Sequence, residues 1–208
     1  MKILDWEGIA LIIGSGEIGT QLSNHLISIA PKLEVIVCGR HKKNSNSIYL
    51  DLENDDSLIS FQESISSFTK TLRLVINTSG LLHSNIIKPE KRLTHVNRSN
   101  LLKNFSINAF APILIAKTIE RYILPELPFS FSSLSARVGS ISDNRLGGWY
   151  SYRASKAAQN QLLKTLSIEW RRKYPLATVS ILHPGTCDTK LSKPFQNSVP
   201  KNKIFSPE

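Results

Sequence analysis

Ile9-Ala10-Leu11-Ile12-Ile13 runs directly into Gly14-Ser15-Gly16-Glu17-Ile18-Gly19, and the reading of this stretch decides the fold. An unbroken apolar run rich in β-branched residues is what a strand buried on both faces of a parallel sheet requires. The glycines then turn the chain into a helix that Pro31 stops. The pattern G-x-G-x-x-G in that place does more than turn. Small residues let the main chain approach a pyrophosphate, whose charge falls on the free N–H groups opening the helix. Gly14, Ser15, Gly16, Ile18 and Gly19 are therefore expected to cradle a dinucleotide; the plainer alternative is a tight strand-to-helix turn. Glu17, in the first helical turn, suits the helix dipole but would repel a phosphate unless it points away.

The same alternation continues along the chain. Further strands are expected at Glu34 to Cys38, Ile48 to Leu50, Leu72 to Asn77, Leu127 to Ser133 and Ala177 to Leu182. Helices are expected over residues 55–68, over 97–124 up to Pro125, and over 150–173 before Pro175. Strands alternating with helices make βαβ units, so the fold class is α/β, a doubly wound parallel sheet in one domain. Residues 1–189 read as the nucleotide-binding unit with a built-in active site. Residues 190–208, with little periodicity, read as a surface loop on the substrate side.

Composition narrows the function classes. The 208 residues are 41% hydrophobic and 20% charged, with 10 Gly and 10 Pro, which excludes a disordered or collagen-like chain. No apolar run approaches the length of a membrane helix, and the N-terminus lacks a secretory pattern. Cys38 and Cys187 have neither metal-ligand spacing nor the density of a disulfide scaffold, so no metal is expected and the cytoplasm fits best. The net charge of +10 is spread along the whole chain. It reads as a solvated basic surface rather than a nucleic-acid face.

The only dense basic run, Arg40-His41-Lys42-Lys43, has a specific place. It follows the second strand, where an Asp or Glu would bind the 2′-hydroxyl of NAD and an Arg would accommodate the 2′-phosphate of NADP. No acid is present there. Arg40 thus favours NADP(H) over NAD(H), against the alternative of turn charges facing water.

Tyr152-Arg153-Ala154-Ser155-Lys156 places a phenol and an ammonium four residues apart on one helix face. A cation beside a phenol is expected to lower its pKa, making the tyrosine a general acid to a carbonyl or a base to an alcohol. The pair alone is common by chance. Its weight comes from following a strand that ends in Ser132, Ser133 and Ser135, in a chain with a dinucleotide turn.

These residues resemble the short-chain dehydrogenase/reductase family, most closely its C-factor-like and sniffer-like carbonyl reductases. The resemblance runs from Ile9 to about Phe205. It is most specific over Ser135-Ala136-Arg137-Val138-Gly139-Ser140-Ile141 and Gly147-Gly148-Trp149-Tyr150-Ser151-Tyr152-Arg153-Ala154-Ser155-Lys156. It implies a Rossmann-type fold in which Tyr152 is the catalytic acid/base, Lys156 its cation and ribose contact, Ser135 the carbonyl-orienting hydroxyl and Asn108 the holder of a relay water. It also implies cofactor contacts from Asp51 and Leu52, from Asn77, Ser79 and Gly80, and from Pro184, Gly185, Thr186 and Thr189. The substrate it implies is a small carbonyl compound, with no nucleic acid or membrane partner.

The chain departs from the family in four places. The glycine turn reads Glu17-Ile18-Gly19 where Gly-Ile-Gly is usual. Asn77-Thr78-Ser79-Gly80 stands for Asn-Asn-Ala-Gly. Ser135 lies 17 residues before Tyr152, an unusually long spacing, so Ser133 and Ser140 stay open as the functional hydroxyl. The family's last helix and strand are expected to be absent after Glu208, exposing an apolar sheet edge and weakening the homo-oligomer the family forms. Trp149 and Tyr150 are either packing aromatics or a pocket wall. The competing reading is a non-catalytic NADP-binding or signalling protein on the same fold.

Overall fold

Side-chain alternation along the first strand divides the core into two layers. In the computed structural model, which describes residues 3–41 and 46–208, β1 (Gly8–Ile13) is buried along its whole length. Ile9, Leu11 and Ile13 belong to one core layer, Ala10 and Ile12 to the other, as a period of two requires. The first layer is closed by α2 (Asp55–Ser66), α4 (Ala111–Ile119) and α5 (Tyr150–Lys173), through residues such as Phe61, Ile115, Leu163 and Trp170. The second is closed by α1 (Glu17–Ile29), through Leu26, with Trp6 and Ala30.

The other strands are β2 (Leu33–Gly39), β3 (Ser47–Tyr49), β4 (Leu72–Asn77), β5 (Phe129–Leu134) and β6 (Ala177–Leu182). All are parallel, in the order β3-β2-β1-β4-β5-β6. The order reverses between β1 and β4, and a crevice opens beyond the strand ends at such a switch point. The expected α/β architecture, a Rossmann-type sheet wound on both faces, is what forms. β6 is an edge strand of the six, and its Ile181 and Leu182 are exposed.

Two expected segments differ in detail. The single helix expected over 97–124 is α3 (Arg98–Phe105), a π-helical turn (Ser106–Phe110), α4 and a 3₁₀ turn (Glu120–Tyr122). Asn97 caps α3 by accepting from the Asn100 N–H at 2.9 Å. The widened turn carries Asn108, and such bulges recur at functional sites.

The surface loop expected over 190–208 is instead a folded flap. β7 (Thr186–Cys187) pairs in parallel with β8 (Ile204–Phe205), with 3₁₀ turns at Lys193–Ser198 and Lys201–Lys203 between them. Gly185 starts it at φ 77°, where a Cβ would lie 2.7 Å from the Phe205 ring. Two-residue strands have no readable periodicity, which hides them in the sequence. No described helix is long and apolar enough to cross a membrane.

Candidate active site

The glycine turn has the shape that a pyrophosphate needs. Gly14 adopts φ 106°, closed to other residues, and a Cβ on Gly19 would lie 2.0 Å from the Gly14 carbonyl oxygen, so helix and strand touch through it. Gly16 is different: a Cβ there would meet nothing within 4 Å. Packing does not require that glycine, and the open space beside it leaves room for a ligand against the main chain. Gly16 also occupies the cap position of α1, where it brings no side chain to the helix's opening N–H groups. Glu17 is turned aside, its Oε1 accepting from the Lys190 N–H of the flap at 3.3 Å. The turn therefore fits a dinucleotide.

The nucleoside end is more open. Gly39 closes β2 against Ser15, and Arg40 and His41 follow it, exposed. Lys42 and Lys43 lie outside the described residues. Asp51 follows β3, where its Oδ1 accepts from the Glu53 N–H at 3.1 Å; Leu52 beside it is partly buried.

At the other end of the crevice, α5 carries Tyr152 and Lys156, which are 8% and 3% exposed. The ammonium lies 6.0 Å from the centre of the tyrosine ring. It donates to the Leu134 carbonyl at 2.9 Å and to Gln159 Oε1 at 2.8 Å. Burial lowers the Lys156 pKa to about 7 and raises that of Tyr152 to about 12. The lowered phenol pKa expected from the sequence is thus reversed. Neighbouring charge alone would favour phenolate, but desolvation penalises both charged forms, and here it dominates.

Asn108, fully buried, joins the β4–α3 loop to α5. Its Oδ1 accepts from the Leu81 N–H at 2.7 Å; its Nδ2 bonds Leu81 O, Asn104 Oδ1 and Ser155 Oγ. Gly80 passes over this pair of elements: a Cβ on it would sit 3.7 Å from Asn108 Oδ1 and 3.8 Å from Lys156 Nζ. Asn77 closes β4 by donating to Ser133 Oγ at 2.9 Å and accepting from the N–H and hydroxyl of Ser79. Tyr152, Lys156, Asn108 and Gly80 are thereby brought together. Ser135 points elsewhere, donating to Asn160 Oδ1 at 2.7 Å, and Ser140 faces Ser142 on the surface.

An aromatic series connects the tyrosine to the flap. Trp149 meets Tyr152 edge-on at 6.2 Å and Phe195 at 5.0 Å, and Phe195 meets His83 at 5.5 Å. Pro184, Gly185, Thr186 and Thr189 lie at the base of this flap, Thr189 Oγ1 donating to Cys187 O at 3.5 Å. Trp149 has φ 51°, the one positive value at a non-glycine position among the described residues. Its N–H donates to the Glu90 carbonyl at 2.5 Å. The buried Glu90 carboxylate accepts from both the N–H and the hydroxyl of Ser151. It caps α5 from 61 residues away, in place of a local cap.

Sequence reasoning missed Glu90 and Gln159. Nothing local marks Glu90. Gln159 was findable, because it stands three residues after Lys156 on the same helix face.

The short chain dehydrogenase family model matches residues 9–199. Over 103 residues the chain is 30% identical to C-signal of Myxococcus xanthus, covering 49% of this chain and 60% of that protein. Over 95 residues it is 38% identical to 1-hydroxy-2-glutathionyl-2-methyl-3-butene dehydrogenase of Rhodococcus sp. (strain AD45), covering 45% and 39%. The chain thus spans less than two thirds of the length of these curated relatives. Among solved structures, carbonyl reductase Sniffer of D. melanogaster superposes with a TM-score of 0.78 at 25% identity, over 89% of this chain and 83% of that one.

Proposed function

The chain belongs to the short-chain dehydrogenase family, and on that premise we propose that it is an NADP-dependent oxidoreductase acting on a small carbonyl or alcohol compound. The observation that carries this reading is the buried Tyr152–Lys156 pair, set beside Asn108 and the Gly80 main chain at the carboxyl end of the sheet. The similarity to Sniffer, a carbonyl reductase by name, points the same way. When bound, the dinucleotide supplies the hydride.

The chain's own residues would supply geometry and the proton. Gly14 to Gly19 would seat the pyrophosphate on α1. Arg40 would take the 2′-phosphate, and Asp51 and Leu52 would line the adenine side. Asn77, Ser79 and Gly80 would border the ribose. Pro184, Gly185, Thr186 and Thr189 would close over the nicotinamide end. Tyr152 would donate its proton to the carbonyl oxygen. Its pKa of about 12 keeps the phenol protonated at neutral pH, which suits the reductive direction. Lys156 would stabilise the phenolate left behind. Asn108 would hold a water through its main chain, since its amide is engaged with protein atoms. Ser135 would orient the carbonyl after turning from Asn160.

That last requirement favours one competing reading, a non-catalytic NADP-binding protein, because the Ser135 hydroxyl already has a partner. Thermal unfolding with NADPH, and a screen of carbonyl substrates with Tyr152→Phe as control, separates the two. Stabilisation together with a Tyr152-dependent reduction, lost by 10²-fold or more in the variant, is the expected result. Stabilisation without turnover would establish the competing reading, and no stabilisation would remove both.

A further inference from the structure

Lys156 is a buried amine without a carboxylate. Among the described residues no acid lies within 4 Å of its Nζ. Two neutral oxygens compensate the desolvated ammonium: the Leu134 carbonyl, supplied by any sequence, and the Gln159 carboxamide oxygen. Gln159 is itself fully buried. Its Nε2 donates to Ser133 Oγ at 2.8 Å and to the Leu134 carbonyl at 3.1 Å, which sets the amide with its oxygen toward Lys156. Ser133 Oγ in turn accepts from Asn77 Nδ2. A continuous set of bonds therefore runs from the end of β4, through β5, to the lysine on α5.

Resting on the oxidoreductase reading above, we infer that Gln159 is a positioning residue for Lys156, holding the ammonium beside Tyr152 and keeping it protonated. An ammonium has three N–H groups. Gln159 and Leu134 take two, leaving a third. Without the Gln159 oxygen the amine would be free to rotate, and it would keep one neutral acceptor. Its protonated form would then be harder to maintain near neutral pH.

The surrounding ionisable groups do not replace Gln159. Tyr152 is the titratable neighbour on α5 itself. From the β4–α3 loop, Glu90 is engaged with Ser151. From the segment after β5, Arg137 is paired with Asp143, and α3's Lys103 is paired with Glu53. Arg153 donates to the carbonyls of Gly147 and Gly148.

The test is direct titration of the lysine by NMR in protein labelled with ¹³C at the lysine ε-carbons, with the Lys156 signal identified by its loss in Lys156→Arg. In Gln159→Met the Lys156 midpoint should fall by about one pH unit or more, a tenfold change in proton affinity. In Gln159→Glu it should rise above wild type, because a carboxylate would then face the ammonium. If the Met variant does not fold, the Glu variant decides alone. An unmoved midpoint in a folded variant overturns the inference. A purely packing role would lower activity at every pH, whereas loss of lysine charge should move the pH profile of alcohol oxidation to more alkaline values. The underlying reading is scored separately. Absence of carbonyl reduction in wild type would overturn the oxidoreductase assignment, and unchanged reduction in Tyr152→Phe the role of Tyr152, whereas the lysine titration measures the Gln159 contact without any turnover.

Discussion

The burial of Lys156 makes folding stability rise with pH in a defined window. In the unfolded chain the amine holds its proton to about the ordinary value of 10.5, while in the folded chain burial brings the midpoint to about 7. Between these values the unfolded state binds more protons, so raising the pH favours folding. Each pH unit well inside the window contributes up to about 1.4 kcal/mol. From pH 7 to pH 9, wild type should gain about 2 kcal/mol relative to Lys156→Met, which has a similar volume and no titrating group. Taking the difference between the two proteins removes every other group, including the buried Cys38 thiol, whose raised pKa acts in the opposite sense above pH 9. Urea unfolding at half-unit pH steps, followed by tryptophan fluorescence with equal m-values in both proteins, measures it. A difference that stays flat or shrinks from pH 7 to 9 would refute the claim that the folded protein holds this amine against its desolvation.

Three further outcomes are expected. Arg40→Ala should weaken NADPH binding by about 10- to 100-fold while leaving NADH nearly unchanged, since one charge-assisted contact to the 2′-phosphate is removed; equal loss for both nucleotides in a calorimetric titration would assign the preference elsewhere. Trp149→Gly should be more stable than Trp149→Ala by about 1 kcal/mol, about 2–4 °C in midpoint, because both lose the indole but only glycine is at ease at φ 51°; the reverse order in thermal melts would deny strain at this position. Glu90→Ala should lower stability in urea by about 3–5 kcal/mol, since the Ser151 N–H and hydroxyl both lose a charged acceptor in a buried place, and a loss below about 1 kcal/mol would show that α5 does not depend on this cap.

The legible part of this protein is the part governed by neighbours in the chain. β-branched runs marked the strands, and Pro31, Pro125 and Pro175 marked the helix ends, because backbone sterics act over a few residues. The glycine turn was legible for the same reason, and Tyr152 and Lys156 had to share a face because residues four apart on a helix always do. The two-residue ladder from Thr186 to Phe205 escaped, since segments that short carry no period.

Tertiary packing decided the rest. Glu90 reaches Ser151 across 61 residues and Gln159 reaches Ser133 across 26, distances at which no local pattern is imposed. It turned Glu17 toward Lys190 and Ser135 toward Asn160, two orientations that composition and spacing leave free. Most telling is Tyr152. The sequence placed a cation beside the phenol and implied a lowered pKa, but the sign of the shift depends on how much water both groups lose. Desolvation is set by every chain segment that closes over the site, so it exists only once the fold does.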